Sequence, residues 1–212
     1  MGRSHDEGVG DEGMRRANDG LLGDMGNAKQ GVFDGVRWSV DDVLRRVREL
    51  IDEMKGSVVG EEVVREEETQ KWQKPKTGWV KINVDAGRME GVGLGLGAVC
   101  RDDEGRVMWG VTVQKEEVRE RAMLKAEAVL MGLHEAKNME LMKVVIESDC
   151  LTMIEDLRKR KRGRSDLCLI YDDIYSLCTH FNTVEFIYVR RSSNRVAHEL
   201  AHVRPWSLGR RI

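Results

Sequence analysis

The sequence predicts an α/β fold, in which helices flank a five-stranded mixed sheet that follows a disordered N-terminal extension. One observation is a series of alternating apolar and polar segments between residues 79 and 113, separated by short turns, which is typical of antiparallel strands. Another is a switch to helical spacing over residues 117–138, followed by the β-branched segment 143–149. A strand reached through a helix is expected to pair in parallel, so the predicted sheet is mixed.

The chain divides into three predicted regions. Residues 1–38 form a Gly-rich and acid-rich tail with too little apolar surface to offset its ordering entropy, which predicts disorder. Residues 39–77 comprise an amphipathic helix, capped by Ser39, and a highly charged linker. This helix either docks on the domain or binds a partner. Residues 78–206 form the predicted folded domain.

Three strands open this domain. Residues 79–85 alternate apolar and polar side chains, which predicts a strand with one buried face. The glycine-rich segment 87–93 then turns the chain. Residues 94–101 and 106–113 follow as two strands, and the Glu-Gly end of their connection, Asp102–Gly105, suits a tight hairpin. Short connections of this kind predict an antiparallel meander.

Helices alternate with strands in the second half of the domain. The predicted elements are a helix at 117–138, a strand at 143–149, helices at 151–160 and 166–180, a strand at 183–189, and a helix from about 193 to 203. Pro205 ends the last helix, because proline cannot continue it. The resulting order is βββαβααβα.

Charge and cysteine content restrict the class of protein. The formal net charge is -2, so a basic field over the whole molecule is not what attracts a nucleic acid. The four cysteines lack Cys-x-x-Cys spacing, and we expect them to be reduced in an intracellular compartment, nuclear or cytoplasmic. Neither a signal-peptide pattern nor an apolar run of about 20 residues is present. We therefore expect no membrane partner. A monomer is the default expectation for the oligomeric state.

Three acidic residues stand on different predicted elements. Asp85 ends the first strand of the domain, Asp149 ends the fourth, and Glu127 lies within the intervening helix between two alanines. A glutamate on an otherwise apolar helix face is costly unless it binds something. Carboxylates that converge from several elements are the ligands that Mg²⁺ prefers, and two such cations can activate water and stabilise the leaving oxygen of a phosphodiester.

The segment from about Trp72 to Trp206 resembles a type 1 ribonuclease H domain. It is similar to the variant that is common in plants and often tied to reverse transcriptases of non-LTR retroelements. Five motifs carry the resemblance, and they occur in the expected order: Gly78-Trp-Val-Lys-Ile-Asn-Val-Asp85, Gly97-Ala-Val-Cys-Arg-Asp-Asp-Glu-Gly105, Ala126-Glu127-Ala128, Ile146-Glu-Ser-Asp149 and Asn194-Arg-Val-Ala-His-Glu-Leu-Ala201.

The resemblance implies a metal-dependent endonuclease that cleaves the RNA strand of RNA/DNA hybrids. It implies that Asp85, Glu127 and Asp149 are catalytic and bind two Mg²⁺ or Mn²⁺ ions, with Asp85 bridging both. The fourth acid of the family falls on His198. Imidazole suits Mn²⁺ or Zn²⁺ better than Mg²⁺. His198 is therefore a metal ligand, a catalytic proton shuttle, or a polar occupant of the vacated position.

The candidate nucleic-acid contacts form three groups. The basic run 158–164 is a solvated helix end, a phosphate-binding surface or a nuclear localisation signal. Two arginines and an asparagine precede the last helix, and two polar residues neighbour the acids, where they either contact 2′-hydroxyls or satisfy the backbone. The candidates are Lys159, Arg160, Lys161, Arg162, Arg190, Arg191, Asn194, Asn83 and Ser148.

Three functions remain open at this point. The first is the hybrid-cleaving hydrolase. The second is a catalytically weak or inactive module, derived from a retroelement, that binds an RNA/DNA hybrid or another nucleic acid. The third keeps the fold but acts on another nucleic acid, as exonucleases and integrases with similar acids do.

Overall fold

The structure, a computed structural model, describes residues 36–37, 40–56, 71–89, 93–115 and 119–203. Almost all of the predicted disordered tail lies outside the described residues, as do much of the charged linker and the end of the domain beyond residue 203. The predicted start of the 117–138 helix falls partly outside them as well.

A mixed sheet forms the centre of the fold. Its strands are β1 (Val36–Arg37), β2 (Val80–Met89), β3 (Gly93–Arg101), β4 (Val107–Lys115), β5 (Lys143–Ser148) and β6 (Thr183–Tyr188). They follow the order β1-β4-β3-β2-β5-β6 across the sheet. The first four strands of this order are joined in antiparallel fashion, whereas β5 pairs in parallel with both β2 and β6. The five predicted strands are all present, so the predicted fold class is confirmed.

Two features of the sheet differ from the sequence prediction. The short strand β1 lies in the segment predicted to be disordered and pairs with the edge of β4. Strand β2 continues to Met89 instead of turning at Gly87, and Gly87 pairs with Gly95 of β3. A side chain at Gly87 would overlap the ring of His202, since its Cβ would lie 2.2 Å from Nε2. The glycine therefore makes room for a ring rather than for a turn.

Helices cover both faces of the sheet. They are α1 (Val40–Gly56), α2 (Arg121–Asn138), α3 (Leu151–Arg158), α4 (Asp166–Cys178) and α5 (Arg195–Ala201), with a 3₁₀ turn at Arg191–Asn194 before α5. Helix α2 lies on one face, where Gly132 packs against Ile82 and Val84. Helix α5 crosses the other face above Gly97. Among the described helices, none combines the length and apolar character needed to cross a membrane.

The amphipathic helix α1 packs on the domain. Val47 is fully buried in a cluster with Val99 of β3 and with Val196 and Leu200 of α5. Burial of an aliphatic side chain of this size stabilises the fold by roughly 1.5–3 kcal/mol. Of the two roles left open for this helix, the structure shows docking on the domain.

Candidate active site

Two carboxylates meet at one end of the sheet. Strands β2 and β5 are parallel neighbours, and Asn83 pairs with Glu147. Asp85 and Asp149 each lie two residues further along, so both side chains leave the sheet at the same level and on the same face. Asp85 is almost fully buried, with 2% of its surface exposed. This convergence was the expectation drawn from their positions in the sequence.

A lysine lies between the two carboxylates. Lys125 of α2 donates a hydrogen bond from Nζ to Asp85 Oδ1 at 2.7 Å and another to Asp149 Oδ1. Its side chain is only 13% exposed. Lys125 reaches this position because it stands seven residues, about two helical turns, before Gly132, on the face of α2 that contacts the sheet. The positive charge at the centre of the site is thus part of the chain.

Glu127 does not join the two aspartates. It accepts a hydrogen bond from Lys115 Nζ at 2.8 Å and another from Arg119 Nη1 at 2.6 Å, and it is 4% exposed. Glu127 stands two positions after Lys125, and this spacing turns its side chain about 200° around the helix. The structure therefore differs from the expectation that Glu127 completes a cluster with Asp85 and Asp149.

His198 of α5 connects Asp85 to an arginine. Its Nδ1 lies 2.8 Å from Asp85 Oδ2, and its Nε2 lies 2.6 Å from Arg191 Nη2. A guanidinium only donates, so Nε2 accepts and the proton of the neutral ring is on Nδ1, which donates to Asp85. Both ring nitrogens are engaged. Of the three roles left open for His198, this geometry favours the polar occupant of the vacated position.

The charges of the site are coupled. Burial alone would raise the pKa of Asp85, but hydrogen bonding and charge from Lys125, together with the hydrogen bond from His198, hold that pKa below its usual value. Burial alone would lower the pKa of Lys125, but its hydrogen bonds to Asp149 and Asp85 and their charges raise it. Both groups are therefore ionised at neutral pH and stabilise each other.

The residues present do not fit a two-cation centre. Mg²⁺ needs several oxygen ligands in near-octahedral geometry. Here one oxygen of Asp85 and one of Asp149 bind the Lys125 ammonium, and the other Asp85 oxygen binds His198. Within the described residues, no group of three or more His, Cys, Asp or Glu side chains is arranged to hold a metal ion. The expected pair of Mg²⁺ or Mn²⁺ ions is not matched by this donor set.

Three of the candidate nucleic-acid contacts are buried. Asn83 donates to Glu147 Oε2 at 2.9 Å and to Asn194 Oδ1 at 3.2 Å, and Asn194 donates to the carbonyl oxygen of Val84 at 2.9 Å. Asn83 and Asn194 are 1% exposed, and Ser148 is fully buried, with Oγ accepting from a backbone amide. Asn83 connects β2 to β5 and to Asn194, and Ser148 satisfies a local backbone amide, so the structure favours the structural alternative for Asn83 and Ser148.

Sequence reasoning missed the charged part of this buried network. Lys81 Nζ lies 2.8 Å from Glu147 Oε1, and the guanidinium of Arg101 lies 3.5 Å from Asn83 Oδ1. The ring of Trp72 covers Arg101 at 4.5 Å from its centroid. The alternation of Lys81, Asn83 and Asp85 was the available signal, because it places three polar residues on one strand face.

A cleft of about 220 Å³ opens above the aspartates. Arg88, Arg121 and Arg191 line it together with Lys125, and these three arginines are exposed. Arg190, the neighbouring candidate, is exposed as well. Except for Arg191, the cations of this cleft were not candidates from the sequence. The sequence signal that could have indicated Arg88, Arg121 and Lys125 is their position on the strand of Asp85 and on the helix of Glu127.

The basic run 158–164 at the end of α3 is exposed, and several of its side chains form ion pairs with neighbouring acidic residues. Lys159 binds Glu155 at 3.2 Å and Lys161 binds Asp156 at 2.8 Å. Arg162 lies 3.4 Å from Asp172. Arg160 stacks over a tyrosine ring at 5.7 Å. Exposed pairs of this kind are weak and exchange readily with phosphate, so the three roles of this run stay open.

The strand order, the antiparallel start, and the two aspartates within β2 and directly after β5 define an α/β domain of the ribonuclease H-like class. A family model described as reverse transcriptase-like matches residues 83–203, more than half of the chain. The chain belongs to this reverse transcriptase-like family. A comparison with curated proteins finds no significant match.

Solved structures share this fold. The N-terminal ribonuclease H domain of a Mycobacterium tuberculosis protein, solved as a fusion with maltose-binding protein, superposes with a TM-score of 0.53 at 21% identity and covers 58% of this chain and 90% of that one. RNase H1 from Halobacterium salinarum gives 0.52 at 18%, covering 58% and 94%. LC11-RNase H1, solved with an RNA/DNA hybrid, gives 0.52 at 20%, covering 57% and 92%.

Proposed function

We propose that this chain is a nucleic-acid-binding module of ribonuclease H-like fold that binds an RNA/DNA hybrid without cleaving it by two-metal hydrolysis. The observation that carries the proposal is the contact of Lys125 with both Asp85 and Asp149. Two-metal cleavage requires carboxylates that are available to bind cations on both sides of the scissile phosphate. In this chain a lysine already binds both of them.

The displacement of Lys125 by a metal ion is unfavourable. Lys125 is mostly buried, and its raised pKa reflects hydrogen bonds to two carboxylates. A cation that entered would have to break those bonds and leave the ammonium without partners, and an unpaired buried charge costs about 3–5 kcal/mol. Glu127 cannot replace the lost ligand, because it faces Lys115 and Arg119.

Two further observations support a nucleic acid as the partner. One solved structure with this fold, LC11-RNase H1, holds an RNA/DNA hybrid. In addition, Arg88, Arg121 and Arg191 expose their guanidinium groups around the cleft, and such groups bind phosphate through paired hydrogen bonds. Contacts of this type recognise backbone shape rather than base sequence.

The second candidate is the metal-dependent endonuclease implied by the sequence, with Mg²⁺ or Mn²⁺ as cofactor. The parallel pairing of β2 and β5 favours it, because this pairing brings Asp85 and Asp149 together as a cation site requires. It needs Lys125 to swing away when cations bind. The two candidates therefore differ in the state of one side chain.

The test measures binding and cleavage of a labelled RNA/DNA hybrid by the full chain, in EDTA, Mg²⁺ or Mn²⁺. We expect equal affinity in all three buffers and intact RNA. An Asp85→Asn variant is the matched control for metal-dependent activity. Cleavage in Mg²⁺ that Asp85→Asn abolishes would establish the endonuclease instead. Failure to bind the hybrid would refute the module, and cleavage of single-stranded or DNA-only substrates would indicate an altered substrate.

A further inference from the structure

The cleft above the aspartates carries a net positive charge. Four permanently cationic side chains line it, namely Arg88, Arg121, Lys125 and Arg191, against the two carboxylates Asp85 and Asp149. These six side chains together carry two net positive charges. A bare pair of carboxylates would repel phosphate, whereas this arrangement attracts it.

The Asp85 carboxylate is buried beneath the cleft. Asp85 is 2% exposed, and the Lys125 ammonium stands between it and Asp149. The arginines at the rim are exposed. A ligand that enters therefore meets the exposed guanidinium groups before the buried carboxylate of Asp85.

The position of Arg191 depends on its neighbours. His198 accepts a hydrogen bond from Arg191 at 2.6 Å and is itself held by Asp85 at 2.8 Å. An arginine fixed in this way loses less conformational entropy when it binds a ligand.

A second cleft of about 170 Å³ also has Arg88 and Arg121 in its lining, so these two arginines stand on the ridge between the two depressions.

We propose that this cleft is a phosphate-binding subsite that takes one backbone phosphate of a nucleic acid directly on its arginines, without a metal ion. The ligand class is a phosphate oxyanion, and guanidinium groups bind its oxygens in paired geometry. This inference rests on the proposed function for the source of the phosphate. The recognition of a phosphate oxyanion by these arginines does not depend on the proposed function.

The first experiment titrates the isotopically labelled full chain with inorganic phosphate in EDTA and follows backbone amide shifts, with chloride at the same ionic strength as the reference. We expect saturable shifts at Gly87, Arg88 and Arg191. Arg121→Ala and Arg191→Ala should each weaken phosphate binding about tenfold, because each removes charge-assisted hydrogen bonds. Lys143→Ala is the matched control, since Lys143 is an exposed cation at the opposite end of β5 from Asp149.

Three outcomes of this titration overturn the subsite. The first is a response to phosphate no larger than that to chloride. The second is unchanged phosphate affinity in both Arg121→Ala and Arg191→Ala. The third is a loss of affinity in Lys143→Ala equal to that in the arginine variants.

The second experiment measures the affinity for an RNA/DNA hybrid against salt concentration in EDTA. Loss of one phosphate contact lowers the slope of log affinity on log salt by about one, so Arg121→Ala should show this change and Lys143→Ala should not. Hybrid binding with the same slope in both variants overturns the backbone-phosphate assignment. If the wild type binds inorganic phosphate but no hybrid, the proposed function fails and the backbone assignment fails with it.

Discussion

Lys125 determines the chemistry of the site at the scale of single residues. Its ammonium joins Asp85 and Asp149, which would otherwise face each other as two negative charges at one end of the sheet. Like charges at close range raise the free energy of the folded state, whereas the lysine converts this repulsion into two ion pairs. One side chain thus forms ion pairs with both carboxylates of the site.

A Lys125→Gln substitution should lower the free energy of unfolding by about 3 kcal/mol, because it leaves two buried or half-buried carboxylates without their cation. Urea unfolding measures this loss. Lys137→Gln is the matched control on the same helix, where the side chain is exposed and a loss of about 0.5 kcal/mol or less is expected. Equal losses in the two variants would contradict the role given to Lys125.

The pH dependence of stability follows from the same pair. The pKa of Asp85 is lowered in the folded chain, so its contribution is present above its unfolded pKa of about 3.9 and is lost as the pH falls through the folded value. The pKa of Lys125 is raised, so its contribution is present below about 10.4 and is lost as the pH rises through the folded value.

We therefore expect an Asp85→Asn variant to lose its stability less steeply than the wild type below about pH 4, because the titrating group with the lowered pKa has been removed. Unfolding by urea at a series of acidic pH values gives the two slopes. Parallel slopes in the wild type and the variant would show that Asp85 is not held ionised by Lys125 and His198.

At the scale of elements, the approach of α5 to the sheet positions His198 above Asp85. This approach depends on Gly97 of β3, where a Cβ atom would lie 2.5 Å from the amide nitrogen of Ala201 and 2.6 Å from the carbonyl oxygen of Ala197. Both atoms belong to the helix backbone, which cannot yield as a side chain can. The glycine sets the distance between helix and sheet.

A Gly97→Ala substitution should destabilise the fold by about 3 kcal/mol, since α5 must move away from β3. The free energy of unfolding and the imidazole signals of His198 are the readouts. Gly132→Ala serves as the control, because the added Cβ would meet only side-chain methyl groups of Ile82 and Val84 at 3.2 Å and the helix gains a better helix former. If Gly97→Ala is no more destabilising than Gly132→Ala, the close packing of α5 is not what holds the site.

The elements show how far the sequence can predict the site. Strand alternation and the order of elements were enough to predict that Asp85 and Asp149 converge, because parallel neighbouring strands end at the same edge. The third charged residue of the site, Lys125, was not predicted, because the motif Ala126-Glu127-Ala128 indicated Glu127 instead. The face of α2 is determined by its packing against the sheet at Gly132, and this contact places Lys125 inward.

At the scale of the whole molecule, α1 belongs to the folded unit. It contacts β4 and α5 and buries Val47 completely, although a charged segment separates it from the rest of the chain. Amphipathic spacing predicted the helix but not its binding surface, because nothing in the local sequence distinguishes docking on the domain from docking on a partner. The cluster around Val99 and Leu200 supplies that surface.

A Val47→Ala substitution should lower the free energy of unfolding by about 2 kcal/mol, through lost burial and the cavity left behind. Arg48→Ala, a change at the exposed neighbouring residue, should stay within about 0.5 kcal/mol of the wild type. Chemical denaturation of the full chain measures both. A Val47→Ala variant as stable as Arg48→Ala would mean that α1 does not share the core in solution.

We propose that Lys125 supplies the positive charge that a divalent cation would otherwise provide between Asp85 and Asp149. The most direct measurement is the titration of Mn²⁺ into the full chain, followed by electron paramagnetic resonance, for the wild type and for Lys125→Glu. We expect no saturable binding to the wild type. We expect a specific site in Lys125→Glu, where a third carboxylate faces the other two, and its loss when Asp85→Asn is added. Stoichiometric Mn²⁺ binding by the wild type that Asp85→Asn abolishes would contradict the claim.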